Sequence, residues 1–240
     1  MSTNPTILEQ TNNSTTSLVH HGEARKFNQW LFERAKSYVK GSTLEIGSGT
    51  GNVSELFIKN KQPLYLSDPK DQYCRLLNER HKEESMVRGV LQIDLKHPEF
   101  EIQCAELLGR FSTVVAMNIV DKASIVNAKL LLRIRGHLIL SLPANTALFN
   151  GLGQGFEKWR SENYASIQKL ISKDFEIIRT AYFNLVGISG WWLSGDELKK
   201  RELAKDQLGQ YEKLVSVFRI TESMVFNREG LSAIVVGRKQ

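Results

Sequence analysis

The chain has 240 residues, 41% of them hydrophobic and 24% charged, with 32 Lys and Arg against 26 Asp and Glu for a formal net charge of +6. That length suits one α/β domain with a large core. The two cysteines, Cys74 and Cys104, lack CxxC spacing, so no zinc or disulfide framework follows and no metal is expected. Apolar runs are strand-sized and residues 1–17 are rich in Ser, Thr and Asn, so the sequence carries no sign of a signal peptide or a membrane span, and the cytoplasm is the default location. The charge raises nucleic acid as a partner. The densest basic clusters, Lys199-Lys200-Arg201-Glu202 and Lys158-Trp159-Arg160-Ser161-Glu162, are interleaved with acids as on solvated helix faces, so RNA stays a minor alternative.

Residues 1–17 read as a mobile segment and 18–240 as a single domain. Over 22–39, Phe27, Trp30, Leu31, Ala35 and Tyr38 recur at helical spacing, and Gly41 ends that helix. His20-His21 reads as a mobile surface pair and not a metal site, because adjacent side chains diverge. A strand follows at 42–46, then a glycine-rich turn, then a helix carrying Val53, Leu56 and Phe57 that ends near Asn60. Pro63 separates it from a second strand closed by Asp68. Asp68-Pro69 opens a turn into a helix with Tyr73, Leu76, Leu77 and Arg80. Residues 87–93 form a third strand closed by Asp94, and 111–117 a fourth, apolar throughout as in a strand buried on both faces. A helix at 126–134 and Gly136 lead to a fifth strand at 137–142, stopped by Pro143. Gly151, Gly153, Gly155 and Gly187 bracket loop and helix before strands at 175–180 and 231–236. The alternation predicts a doubly wound, mostly parallel sheet, with the direction of the last strand open.

The turn Glu45-Ile46-Gly47-Ser48-Gly49-Thr50-Gly51 carries the chemistry. Glycines there allow φ > 0 and let a ligand approach the main chain. The dinucleotide spacing G-x-G-x-x-G would need glycine at 52, which is Asn52; the pattern is E-x-G-x-G-x-G. It resembles motif I of the class I methyltransferases, which use S-adenosylmethionine. Asp68, 21 residues after Gly47, stands where an acid meets ribose hydroxyls in a βαβ nucleoside site. Cofactor contacts are therefore expected from Glu45, Gly47, Ser48, Gly49, Gly51 and Asn52, from Asp68 and Pro69, from Asp94 and Leu95 toward the adenine edge, and from Asn118 after the fourth strand.

Further segments are similar to a bacterial group of these enzymes, some of them fused to glycosyltransferases. They are Gly22-Glu23-Ala24-Arg25-Lys26-Phe27-Asn28-Gln29-Trp30-Leu31, Leu142-Pro143-Ala144, Tyr182-Phe183-Asn184 with Gly187, Gly190-Trp191-Trp192, and Gly230-Leu231-Ser232 with Val235-Val236-Gly237-Arg238-Lys239. The resemblance spans about residues 22–239. It implies a Rossmann-like seven-stranded sheet in a three-layer α/β/α sandwich, S-adenosylmethionine on the glycine turn, and a partly helical cap over the acceptor at about 20–40, 145–170 and 184–225. Acceptor candidates are Phe27, Trp30, Asn145, Trp159, Tyr164, Asn184 and Trp191, of which Trp191 and Trp192 cannot both face inward on one regular element. Two departures touch the catalytic half. The group carries Asn-Val-Leu-Glu-His where this chain has Asn118-Ile119-Val120-Asp121-Lys122, and Gly-His-Tyr-Arg-Arg-Tyr where it has Glu157-Lys158-Trp159-Arg160-Ser161-Glu162. Both histidines, the side chains most readily used as bases near neutral pH, are absent. Asp121, Lys122 and Lys158 remain as catalytic or acceptor-binding candidates.

These features predict a methyltransferase for a small-molecule acceptor, a metabolite or envelope-sugar precursor, in a monomer or homodimer. The alternatives are a protein that binds the cofactor without methyl transfer, a cyclase or lyase using the sulfonium, and, least, an RNA methyltransferase. A nicotinamide dehydrogenase has the wrong glycine spacing.

Overall fold

The computed structural model describes residues 25–117, 122–143, 169, 171–183 and 232–240. The chain enters through helix α1, Arg25–Ala35, and a 3-10 turn at Lys36–Tyr38. The helical spacing has a direct outcome in packing: Trp30, Leu31, Phe32 and Ala35 are buried. The helix stops short of 39, and Gly41 then turns the chain at φ +63, where an added Cβ would lie 2.5 Å from the Ser112 hydroxyl. Only glycine meets both constraints.

Next come β1 Thr43–Ile46, α2 Ser54–Lys59, β2 Leu64–Asp68, α3 Asp71–Arg80, β3 Val87–Gln92, α4 Phe100–Gln103, β4 Phe111–Met117, α5 Lys122–Leu131, β5 Leu132–Pro143, β6 Phe175–Phe183 and β7 Ser232–Lys239. They form one seven-stranded sheet in the order β3-β2-β1-β4-β5-β7-β6. Strands β3 to β5 are parallel, while β7 pairs antiparallel with both β5 and β6. The last strand is therefore antiparallel and inserts between its two predecessors. The parallel half needs helical crossovers, and α2 and α3 supply them for β1 to β2 and β2 to β3.

Two apolar clusters flank the sheet, which gives the three expected layers. One joins Leu44, Ile46, Val114 and Ala116 to Phe100, Ile125 and Leu131 of α4 and α5. The other joins Leu64, Leu66, Val115, Ile139, Ile234 and Val236 to Phe32 of α1, Phe57 of α2 and Leu77 of α3. Strand alternation sorts the residues, so Val114 and Ala116 face one layer and Val115 the other. Glu45, between Leu44 and Ile46, therefore faces the α1, α2 and α3 side.

Several boundaries differ from the sequence reading. The helix expected at 126–134 is Lys122–Leu131, and β5 begins at once with Leu132 pairing Phe111. Strand β6 runs on to Phe183, where Ala181, Tyr182 and Phe183 pair with Ile234, Ala233 and Ser232, and β7 runs on to Lys239, its polar end held by cross-strand partners, as Arg238 is opposite His137 and ion-paired with Glu176. Apolar-run length cannot detect the polar end of β7.

Candidate cofactor site

Parallel strands β1, β2, β3 and β4 end on one edge, where ligands of open α/β sheets bind. The turn after β1 is built by its glycines. Gly47, Gly49 and Gly51 take φ of +72, +53 and +83. An added Cβ on Gly47 or Gly49 would meet nothing within 4 Å, whereas one on Gly51 would lie 3.0 Å from Leu77 Cδ2 and 3.2 Å from His81 Nε2. The first two thus leave open space over the main chain; the third lets α3 pack against the back of the loop. Arg80 of α3 reinforces that contact by bonding the Thr50 carbonyl and the Glu55 carboxylate.

Asp68 is buried at the end of β2, with 6% exposure. Its Oδ2 accepts the Gly49 amide at 3.1 Å and its Oδ1 the Lys70 amide at 3.0 Å. Loop and second acid, 19 residues apart between Gly49 and Asp68, are thereby one unit. An ionised carboxylate has about four lone-pair directions, so each oxygen retains acceptor capacity for a ligand hydroxyl.

Glu45 lies behind the loop, 2% exposed. Its Oε2 accepts the Ser48 hydroxyl at 3.2 Å and the hydroxyl of Ser54, in the first turn of α2. Burial pushes its pKa up from 4.5 to about 7, and the two serine bonds pull the other way. Ser67 adds its hydroxyl to the Glu45 carbonyl at 2.8 Å, and the Ser48 amide reaches the Ser67 carbonyl at 2.8 Å. This latch sets the angle at which the chain leaves β1. Ser48 is thus turned inward, 8% exposed, and the serines at 54 and 67 are site-forming residues that the sequence reading missed. Their only signal was a hydroxyl near each element boundary, nine and 22 positions from Glu45, whose carboxylate and carbonyl they bond.

The other candidates lie nearby or outside. Asn52 is half-buried with its amide on Thr50 Oγ1 at 2.7 Å, and the exposed Pro69 gives its carbonyl to Gln92 Nε2 at 3.1 Å. Asp94, exposed after β3, accepts the Lys96 amide at 2.8 Å, while the Leu95 side chain is buried in the core and its carbonyl takes the Asn127 amide at 2.8 Å. Lys122 is exposed at the start of α5. Trp30 is buried at 3% beneath the Arg34 guanidinium, 5.6 Å from its ring, and borders a shallow cleft with Glu33, Ser37 and Arg179. Asn118, Asp121, Asn145, Lys158, Trp159, Tyr164, Asn184 and Trp191, and the Phe27 side chain, lie outside the described residues, as do the expected cap segments 145–170, residue 169 excepted, and 184–225. A second hollow, lined by Gly41, Ser42, Thr43, Gln62, Pro63, Tyr65 and Arg88, sits at the starts of β1 and β2, on the edge away from the glycine turn. It has no part in the site.

Among the described residues no three His, Cys, Asp or Glu cluster as a metal site, and no helix is long and apolar enough to cross a membrane. Cys74 and Cys104 are buried free thiols.

The sheet order with its single antiparallel insertion is the fold of the class I methyltransferases. Among solved structures, a SAM dependent methyltransferase from Archaeoglobus fulgidus matches over 90% of this chain and 94% of its own at 12% identity, with a TM-score of 0.55. The MccD protein matches over 88% and 96% at 11% identity, with a TM-score of 0.52. Magnesium protoporphyrin IX methyltransferase (ChlM) from Synechocystis PCC 6803 with bound SAH matches over 100% and 90% at 15% identity, with a TM-score of 0.50. At such identities the likeness is one of fold. No family model and no curated protein sequence matches the chain.

Proposed function

We propose that the chain binds S-adenosylmethionine on the glycine turn and transfers its methyl group to a small-molecule acceptor. The observation that carries this reading is the open space over Gly47 and Gly49, both at positive φ, beside a buried acid bonded to the same loop. Gly47 and Gly49 would let the nucleoside approach the main chain, Asp68 would accept from the ribose hydroxyls, and the chain at Pro69, Asp94 and Leu95 would border the base. Glu45, Ser48 and Ser54 hold the turn in shape from behind. Two proteins of similar fold, the SAM dependent methyltransferase from Archaeoglobus fulgidus and ChlM with bound SAH, support the choice of nucleoside.

The cofactor supplies a methyl group on a sulfonium, already activated for displacement. The protein's task is then to align an acceptor atom and exclude water, and orientation of that kind is worth on the order of 7 to 11 kcal/mol. A base is required only if the acceptor must lose a proton. Lys122 stands where the resembling group has histidine, and a lysine accepts a proton only when burial holds it neutral. Exposed as it is, Lys122 suits an acidic acceptor group better. That replacement also favours a second reading, cofactor binding without methyl transfer.

Melting-temperature shifts with saturating S-adenosylmethionine, S-adenosylhomocysteine and NAD test the pocket. At a hundredfold excess over Kd a ligand stabilises by about 2.7 kcal/mol, a shift of several degrees at this size. Shifts with the two sulfur nucleosides alone are expected; none with either would refute the site. Release of S-adenosylhomocysteine across an acceptor panel then separates transfer from binding alone.

A further inference from the structure

The sheet edge opposite the glycine turn carries a concentration of charge that cofactor binding does not use. Strands β1, β4 and β5 begin there and β7 ends there, which gathers Lys40, Arg110, Arg133, Arg135 and Arg238 on one rim. Lys40, Arg133 and Arg238 lie near enough to His137 to disfavour its protonated form, after the larger effect of burial. The acids closest by are largely engaged: Asp174 pairs with Lys129 at 2.6 Å and Glu176 with Arg238. Glu106 is exposed, one turn from Arg110, which reaches its carbonyl and not its carboxylate. Among the described residues no ion pair neutralises Lys40, Arg110, Arg133 or Arg135.

The rim also has an apolar apex. Between the pairs Phe111 to Leu132 and Thr113 to His137, β4 has the single residue Ser112 while β5 has four, 133–136. The surplus bulges outward through Arg135 at φ +62, a left-handed conformation that a non-glycine residue adopts only under constraint. Ile134 at its tip is 74% exposed, with an exposed arginine on either side.

We propose that this rim docks the protein on an anionic lipid surface, with Ile134 at the boundary of headgroups and acyl chains and Lys40, Arg110, Arg133 and Arg135 against lipid phosphates. The β4–β5 tip itself lines no groove for a peptide among the described residues, the hollow on this edge lying at the starts of β1 and β2. Its apex is aliphatic, so it lacks the ring on which a nucleic-acid base stacks. Arginines flanking an aliphatic side chain suit the interface, since their stems lie along apolar surface while the guanidinium groups stay at phosphate level. Charge complementarity does the rest, each basic residue near an anionic leaflet adding to the attraction. Docked this way, the glycine turn lies on the edge away from the lipid.

Sedimentation of the full chain with vesicles of phosphatidylcholine alone, and with 30 mol% phosphatidylglycerol added, tests the proposal. Binding is expected to the anionic vesicles only and to fall between about 0.1 and 0.5 M salt as screening shortens. Arg133→Gln with Arg135→Gln should weaken it about thirtyfold, and Ile134→Ser should weaken it without lowering the melting temperature, since the side chain is exposed. Arg75→Gln with Lys82→Gln, exposed on and just after α3, should change nothing. Failure to bind anionic vesicles overturns the proposal, as does equal loss in the α3 variant. Tighter binding to single-stranded RNA that ignores Ile134→Ser overturns it in favour of a nucleic acid.

Discussion

Gly49 and Gly51 stand two residues apart in one turn, yet different constraints hold them. An added methyl on Gly49 enters empty space, so Gly49→Ala costs only the left-handed backbone, about 1 to 2 kcal/mol. In the proposed site the same methyl would take up space that the nucleoside needs. A fold that survives with S-adenosylhomocysteine affinity down at least about tenfold, 1.4 kcal/mol, is the expected result by calorimetry. Gly51→Ala adds a collision with Leu77 and His81, and should lower stability further. Equal affinity in the wild type and Gly49→Ala would remove the turn from the site. Glu45 gives a second prediction at this scale. In the folded chain it keeps its proton to about pH 7, whereas its ordinary value is 4.5. The native state therefore holds more protons between those values, and stability falls as pH rises from about 4.5 to 7, by roughly 3 kcal/mol at most, then levels off. Glu45→Gln cannot ionise and should flatten that part of the stability profile measured by urea unfolding.

At the scale of elements, α2 ends at Lys59 and is capped by Asn60, with Lys61 next, at φ +55, its amide on the Ile58 carbonyl at 2.8 Å. That is a position glycine usually fills after a helix. Lys61→Gly should relieve strain and stabilise by up to about 1 kcal/mol, read as a higher urea midpoint with unchanged slope. The glycine turn, the strands before and after it and the second acid were legible in the sequence because a buried parallel strand leaves a continuous apolar run, and because Gly41, Pro63 and Asp68-Pro69 punctuate the runs. The Gly49 to Asp68 bond is the structural form of that spacing. The start of β5 was not legible, since Leu130-Leu131-Leu132 continues the helical apolar pattern across the point where pairing with Phe111 takes over. Nor was the Glu45 latch, whose serines are brought to the carboxylate by turn geometry that no residue spacing encodes. The acceptor side of the site rested on the resemblance alone, because most of its aromatic residues read more readily as lid and core packing.

The whole molecule rests on the asymmetry of its two apolar layers. The resemblance assigned 20–40 to a cap, but from Trp30 onward this stretch is also core: Trp30, Leu31, Phe32, Ala35 and Val39 cover strand residues Val115, Ile139, Ile234 and Val236. Those residues belong to β4, β5 and β7, which the short crossover helices α2 and α3, serving β1 to β3, do not cross. Helix α1 roofs that half of the sheet, and Phe32 joins it to α2 through an edge-on contact with Phe57, ring centroids 4.9 Å apart. Deleting a buried phenyl ring costs about 3 to 5 kcal/mol, transfer and cavity together. At this chain length each kcal/mol is about 2 to 4 °C, so Phe32→Ala should lower the melting temperature by roughly 10 °C. If α1 were a lid that opens on the folded domain, the same change would leave the main transition in place and alter only ligand affinity. A single cooperative transition, displaced downward in Phe32→Ala with and without S-adenosylhomocysteine alike, is the expected outcome by differential scanning calorimetry, because the helix then unfolds with the sheet it covers.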